Sequence, residues 1–124
     1  MKKHVCIIGI GSNINPEQNI AEALQILALE DEISKVSELI KTKPIGITEQ
    51  PEFLNGAVKV LTYKEGNDFR NYLKSIEDQL KRDRSVSKYG PRTIDLDIVI
   101  WDGEIVDNDY YQRDFLQKVV DEIL

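Results

Sequence analysis

The segment Lys88-Tyr89-Gly90-Pro91-Arg92-Thr93-Ile94-Asp95-Leu96-Asp97 holds the densest set of residues able to do chemistry. From Thr93 to Trp101 the chain alternates strictly. Ile94, Leu96, Ile98 and Ile100 fall on one side, and Thr93, Asp95, Asp97 and Val99 on the other. That period of two predicts a strand, with the Asp95 and Asp97 carboxylates on one face, roughly 7 Å apart along it. Carboxylates held so close raise each other's proton affinity. A cation between them relieves the repulsion. Hard oxygen donors suit Mg²⁺, which takes one or two carboxylates and completes its shell with water and phosphate oxygens. A solvated polar face on an edge strand fits the same spacing.

The arginines bear on that choice. Arg82 and Arg84 fall at the end of a predicted helix, and Arg92 immediately precedes the acidic strand. Lys81 and Lys88 lie in the same stretch, making a basic island in an acidic chain. Guanidinium forks match phosphate oxygens in two-point contacts. A metal-bound polyphosphate would require such a loop beside paired aspartates. Cations are also favoured at a helix C-terminus, so capping is a second reading of Arg82 and Arg84.

Positioning these groups takes a specific order of elements. His4 to Ile10 reads as a buried strand ended by Gly11-Ser12-Asn13. Pro16 to Leu29 reads as an amphipathic helix, with Pro16 in its first turn and Asn15 as its cap. Ile33 to Lys41 reads as a strand, and the proline-bearing stretch from Thr42 to Pro51 as a structured loop. Phe53 to Tyr63 is a strand, broken by Gly66-Asn67. Phe69 to Arg82 is a helix and Asp83 to Pro91 a loop, of which Asp83 to Tyr89 is a candidate lid. Asp102-Gly103 signals a turn that folds Glu104–Val106 back as a hairpin. Arg113 to Leu124 closes the chain as a helix. The order βαββαβ, with an extra hairpin and a terminal helix, predicts an α+β, ferredoxin-like fold, an antiparallel sheet with helices packed on one face.

The 124 residues allow one domain, 1–124. A net charge of −6 argues against general nucleic-acid binding, which rests on phosphate neutralisation. A single cysteine, Cys6, excludes an intrachain disulfide and fits a reducing compartment. The apolar run at the N-terminus is too short for a signal peptide or a membrane span, so the cytoplasm is the expected location. Small-molecule substrates, no nucleic acid, no membrane, and a monomer or weak homodimer are the expected associations.

Gly90-Pro91-Arg92-Thr93-Ile94-Asp95-Leu96-Asp97-Ile98 resembles the signature of the 6-hydroxymethyl-7,8-dihydropterin pyrophosphokinases of folate synthesis. Gly9-Ile10-Gly11-Ser12-Asn13, Thr42 to Gly46 with Gln50-Pro51, and Phe53-Leu54-Asn55 with Ala57-Val58 agree in order and spacing. The resemblance implies diphosphate transfer from ATP to the pterin hydroxymethyl group, with release of AMP. It implies two Mg²⁺ ions at Asp95 and Asp97, and a triphosphate bound by Arg82, Arg84 and Arg92. Glu77 and Lys88 belong to the nucleotide side. Thr42, Pro44, Ile45, Phe53 and Asn55 would line the pterin pocket. Asn55 suits the pterin because its amide both donates and accepts.

The chain departs from that pattern after the hairpin. A Pro-His pair with further basic residues is missing, and the one histidine, His4, lies in the first strand, where it reads as structural or exposed. Arg113 and Phe115, followed by Glu122-Ile123, resemble the family's Arg-x-Phe…Glu-Ile stretch, where the arginine meets phosphate and the phenylalanine the pterin. A terminal helix with Arg113 in its first turn and Phe115 in the core is an equal reading. The departure also keeps open a catalytically weak relative that binds nucleotide or pterin in a regulatory or scaffolding role.

Overall fold

The computed structural model describes residues 2–85 and 90–124. Its centre is β1 (His4–Ser12). Cys6, Ile8 and Ile10 enter one core and Ile7 the other, which is why this strand reads as an unbroken apolar run. α1 (Pro16–Glu30) follows, burying Ile20, Ala23 and Leu27. Pro16 does open the helix. Asn15 does not cap it as expected: it takes a left-handed backbone with φ of 41° and makes no side-chain cap bond. The amide of Asn19 instead donates to Ile14 O at 2.5 Å.

The single strand expected over 33–41 is two, β2 (Glu32–Val36) and β3 (Ile40–Thr42), both antiparallel to β4 (Phe53–Thr62). Ser37 breaks it. Its N–H donates to Ala57 O at 2.9 Å while its hydroxyl accepts from Ala57 N–H at 2.8 Å, so a side chain replaces a ladder partner. Glu38 N–H then donates to Glu122 Oε2 at 2.6 Å.

α2 runs Gly66–Gln79, so Gly66-Asn67 starts the helix rather than separating it from the strand, and Arg82 lies outside it. Lys81 ends the helix in a left-handed turn, with φ of 62°. Lys81 N–H reaches Asp78 O at 3.0 Å and Arg82 N–H reaches Glu77 O at 3.1 Å. This pair of bonds is a Schellman motif, here built without glycine. It turns Arg82 back over Glu77.

β5 (Asp95–Trp101) pairs with β1, and β6 (Glu104–Ile105) folds back through Asp102-Gly103, both at positive φ. The β1–β5 register slips between Ile7 and Ile8, where Val99 bulges out of the pairing. Alternation therefore fails at one point: Ile100 joins Val99 in the second core instead of following Ile98.

The six-stranded antiparallel sheet has the order β2-β4-β1-β5-β6, with β3 also on β4, in agreement with the ferredoxin-like expectation. α1 and α2 cover one face through Leu27, Phe69, Leu73 and Ile76. Each such side chain contributes about 1.5–3 kcal/mol by burial. Beyond a one-turn helix, α3 (Asp109–Gln112), the terminal helix α4 (Asp114–Ile123) packs Leu116, Val119, Val120 and Ile123 on the opposite face. Helices thus occupy both faces, not one. Among the described residues no helix is long and apolar enough to cross a membrane.

Candidate active site

On β1 the face that carries Ile7 continues through Gly9 and Gly11, which have no side chains to fill it. The register sets Asn55, Gly11 and Asp95 in one row across the sheet, and Ala57, Gly9 and Asp97 in the next. The glycines leave a floor, and Asp95, Asp97 and Asn55 rise around it. The result is a cleft of about 390 Å³.

Asp95 is held by two guanidinium groups. Arg82 Nη1 lies 3.2 Å from its Oδ1 and Arg92 Nη1 lies 2.7 Å from its Oδ2. Glu77, only 3% exposed, supports this arrangement from below. Its Oε2 accepts from Arg82 Nη1 at 2.6 Å and from Leu96 N–H at 2.9 Å, and its Oε1 accepts from Arg84 Nη2 at 2.8 Å. Arg84 also pairs with Asp78. Arg82, Arg84, Glu77 and Asp97 border a second cavity of about 270 Å³, together with Lys74 and Ile98.

Asp97 is open to solvent in the cleft, but the surrounding protein displaces much of its hydration. That desolvation, then the charge of Asp95 and a hydrogen bond to it, then Glu77 and Asp107, push its carboxyl up to about 8. Among the described residues no three acidic, histidine or cysteine side chains converge tightly enough to hold a metal by themselves. Two hard carboxylates in an open cleft fit Mg²⁺, provided phosphate and water oxygens complete its shell.

The opposite wall is Thr42, Ile45, Phe53 and Asn55, with Lys43 beside them. Asn55 Nδ2 donates to Thr42 Oγ1 at 2.5 Å, which fixes the amide's orientation. Arg113 and Phe115 both line the cleft, and Phe115 also packs against the second core. Among the described residues no carboxylate pairs with the Arg113 guanidinium, unlike those of Arg82, Arg84 and Arg92. Pro44 is not among the lining residues, and Lys88 and most of the candidate lid lie outside the described residues. His4 is structural: its Nδ1 lies 2.6 Å from Asp102 Oδ2, at the far end of β1.

Sequence reasoning missed Gly9, Gly11, Lys43, Asp107 and Asp109 as cleft residues. The glycines had a signal, two small residues at strand spacing among isoleucines. Asp107 and Asp109 had none, because the turn after β6 that brings them in is set by tertiary packing.

The family model for 7,8-dihydro-6-hydroxymethylpterin-pyrophosphokinase matches residues 7–124. The folate synthesis bifunctional protein of Arabidopsis thaliana is 36% identical over 97 residues, 77% of this chain and 20% of that protein. The 2-amino-4-hydroxy-6-hydroxymethyldihydropteridine pyrophosphokinase of Bacillus subtilis is 32% identical over 109 residues, 86% of this chain and 65% of that protein. The protein of the same name from Haemophilus influenzae is 31% identical over 105 residues, 82% and 65% of the two chains. The chain thus spans from about a fifth to just under two thirds of these relatives.

Proposed function

The chain belongs to the 7,8-dihydro-6-hydroxymethylpterin-pyrophosphokinase family, and from that premise we propose that it transfers diphosphate from ATP to 6-hydroxymethyl-7,8-dihydropterin, giving AMP and the pterin diphosphate. The observation that carries this reading is the row Asn55–Gly11–Asp95: a polar amide for a ring and a carboxylate for a metal, separated by an empty floor.

Asp95 and Asp97 hold Mg²⁺, two ions on this reading, and bound Mg²⁺ supplies positive charge that polarises the phosphate oxygens. Arg82, Arg84 and Arg92 neutralise the triphosphate beside Glu77, which keeps Arg82 and Arg84 aimed. Lys88 belongs to the same nucleotide group by motif. Arg113 approaches from the α4 side, its guanidinium paired with no carboxylate among the described residues. Thr42, Ile45, Phe53 and Phe115 enclose the pterin, Pro44 belongs to the same group by motif alone, and Asn55 reads the pterin's edge. The arginines now tied to Asp95 exchange partners when a polyphosphate enters. Such transfer is mostly positioning and electrostatics, which rigid elements supply here. On this reading the chain acts as a monomer or weak homodimer, and the lone buried Cys6 suits a reducing cytoplasm.

Calorimetric titration with Mg²⁺ and a non-hydrolysable ATP analogue tests the nucleotide half. Binding that weakens about tenfold or more in Arg113→Ala supports the assignment. An unaltered affinity removes Arg113 from it.

A further inference from the structure

Asn13 lies just beyond the cleft floor and lines neither cavity. It is 3% exposed, and every hydrogen of its side-chain amide is used. Nδ2 donates to Gln50 Oε1 at 2.9 Å and to Pro51 O at 3.1 Å. Oδ1 accepts from Arg92 N–H at 2.8 Å, and Asn13 N–H donates to Arg92 O at 3.1 Å. The regular β1–β5 pairing ends at Gly11 and Asp95. Asn13 continues it by mimicking a strand partner, its side-chain oxygen taking the place of a backbone carbonyl.

We propose that Asn13 is a positioning residue that joins the two shores of the cleft. One arm fixes the backbone of Arg92, whose guanidinium grips Asp95 at 2.7 Å. The other fixes Gln50 and Pro51, in the connection between β3 and β4 that also carries the lining residues Lys43 and Ile45 and leads into Phe53. Gln50 Nε2 donates to Ile47 O at 2.7 Å, so the amide of Gln50 cannot flip without stranding that carbonyl. Asn13 therefore sets the distance between the phosphate-side arginine and the opposite wall while touching neither ligand. The inference rests on the reading of the cleft given above.

Three variants separate the arms. Asn13→Asp keeps an acceptor for Arg92 N–H but turns an oxygen toward Gln50 Oε1 and Pro51 O. Asn13→Ala removes both arms. Gln50→Ala removes one of the two bonds of the loop arm, leaving Asn13 Nδ2 its bond to Pro51 O and the Arg92 arm intact. A displacement of about 1 Å at a reacting group costs on the order of a hundredfold in rate. The expected result is a kcat lowered about tenfold or more in Asn13→Asp, with Gln50→Ala raising KM for the pterin and leaving KM for ATP near its original value. Exchange of the Arg92 amide hydrogen accelerates in Asn13→Ala but not in Asn13→Asp. Folded variants with unchanged kcat and both KM values unchanged would overturn the proposal. Should the unmodified protein show no turnover, the assignment of the reaction fails instead, and the exchange data decide for Asn13. Acceleration in Asn13→Ala upholds the joint, and an unchanged Arg92 amide rejects it.

Discussion

The Asp97 carboxyl is pushed up to about 8 by lost hydration and by Asp95 beside it, so near neutral pH it retains a proton that a divalent ion must displace. Mg²⁺ affinity should therefore strengthen as pH rises, by up to about tenfold per unit, and level off above about 8. The same shift acts on folding with a defined sign. The folded value lies above the unfolded one of about 3.9, so stability associated with Asp97 is lost progressively as pH rises from there to about 8. Asp97→Asn should melt above the unmodified protein, by a margin that widens between pH 5 and pH 8, while turnover drops by about a hundredfold or more. Thermal melts across pH, with Mg²⁺ titrations alongside, check both halves.

Among the elements, β1 does most to shape the cleft, through the side chains it lacks. A methyl group on Gly11 would come within 2.6 Å of Asn55 Oδ1. Gly11→Ala should displace that amide from Thr42 and weaken pterin binding about tenfold, leaving the ATP analogue's affinity near its original value. Paired titrations with the two ligands read this directly. The strand bearing Asp95 and Asp97 and both long helices were legible because their apolar periods are strong. The break at Ser37 and the bulge at Val99 were not, since each depends on a partner strand's register. The turn at Lys81 was hidden because glycine, the usual marker, is absent. Of the cleft's charged residues, Arg82, Arg92, Asp95, Asp97 and Arg113 were singled out by motif and spacing, whereas Lys43, Asp107 and Asp109 were not. The support that Glu77 gives to two arginines and to Leu96 N–H depends on long-range contacts, which spacing does not encode.

At the scale of the molecule, the first strand and the last hairpin are fastened by His4 and Asp102. Asp102 Oδ1 also accepts from Val5 N–H at 2.9 Å, and the His4 ring packs 4.8 Å from the sole tryptophan, Trp101. The hydrogen bond to Asp102 raises the His4 pKa, and the bond from His4 lowers that of Asp102. The histidine's share of stability is complete below about 6.5 and is lost as pH rises through its raised folded value. The aspartate's share is present above about 3.9 and is lost as pH falls through its lowered one. His4→Gln should therefore be most destabilising below the raised folded value of His4 and above the lowered one of Asp102, and approach the unmodified protein as pH rises through the former, in denaturant titrations followed by Trp101 fluorescence.

The account as a whole depends on which bond of ATP is broken in the cleft. Phosphorus NMR of the protein with ATP, Mg²⁺ and 6-hydroxymethyl-7,8-dihydropterin distinguishes the outcomes. The prediction is stoichiometric AMP and pterin diphosphate, dependent on both the pterin and the metal. ADP as the product, or intact ATP beside a bound pterin, would contradict it.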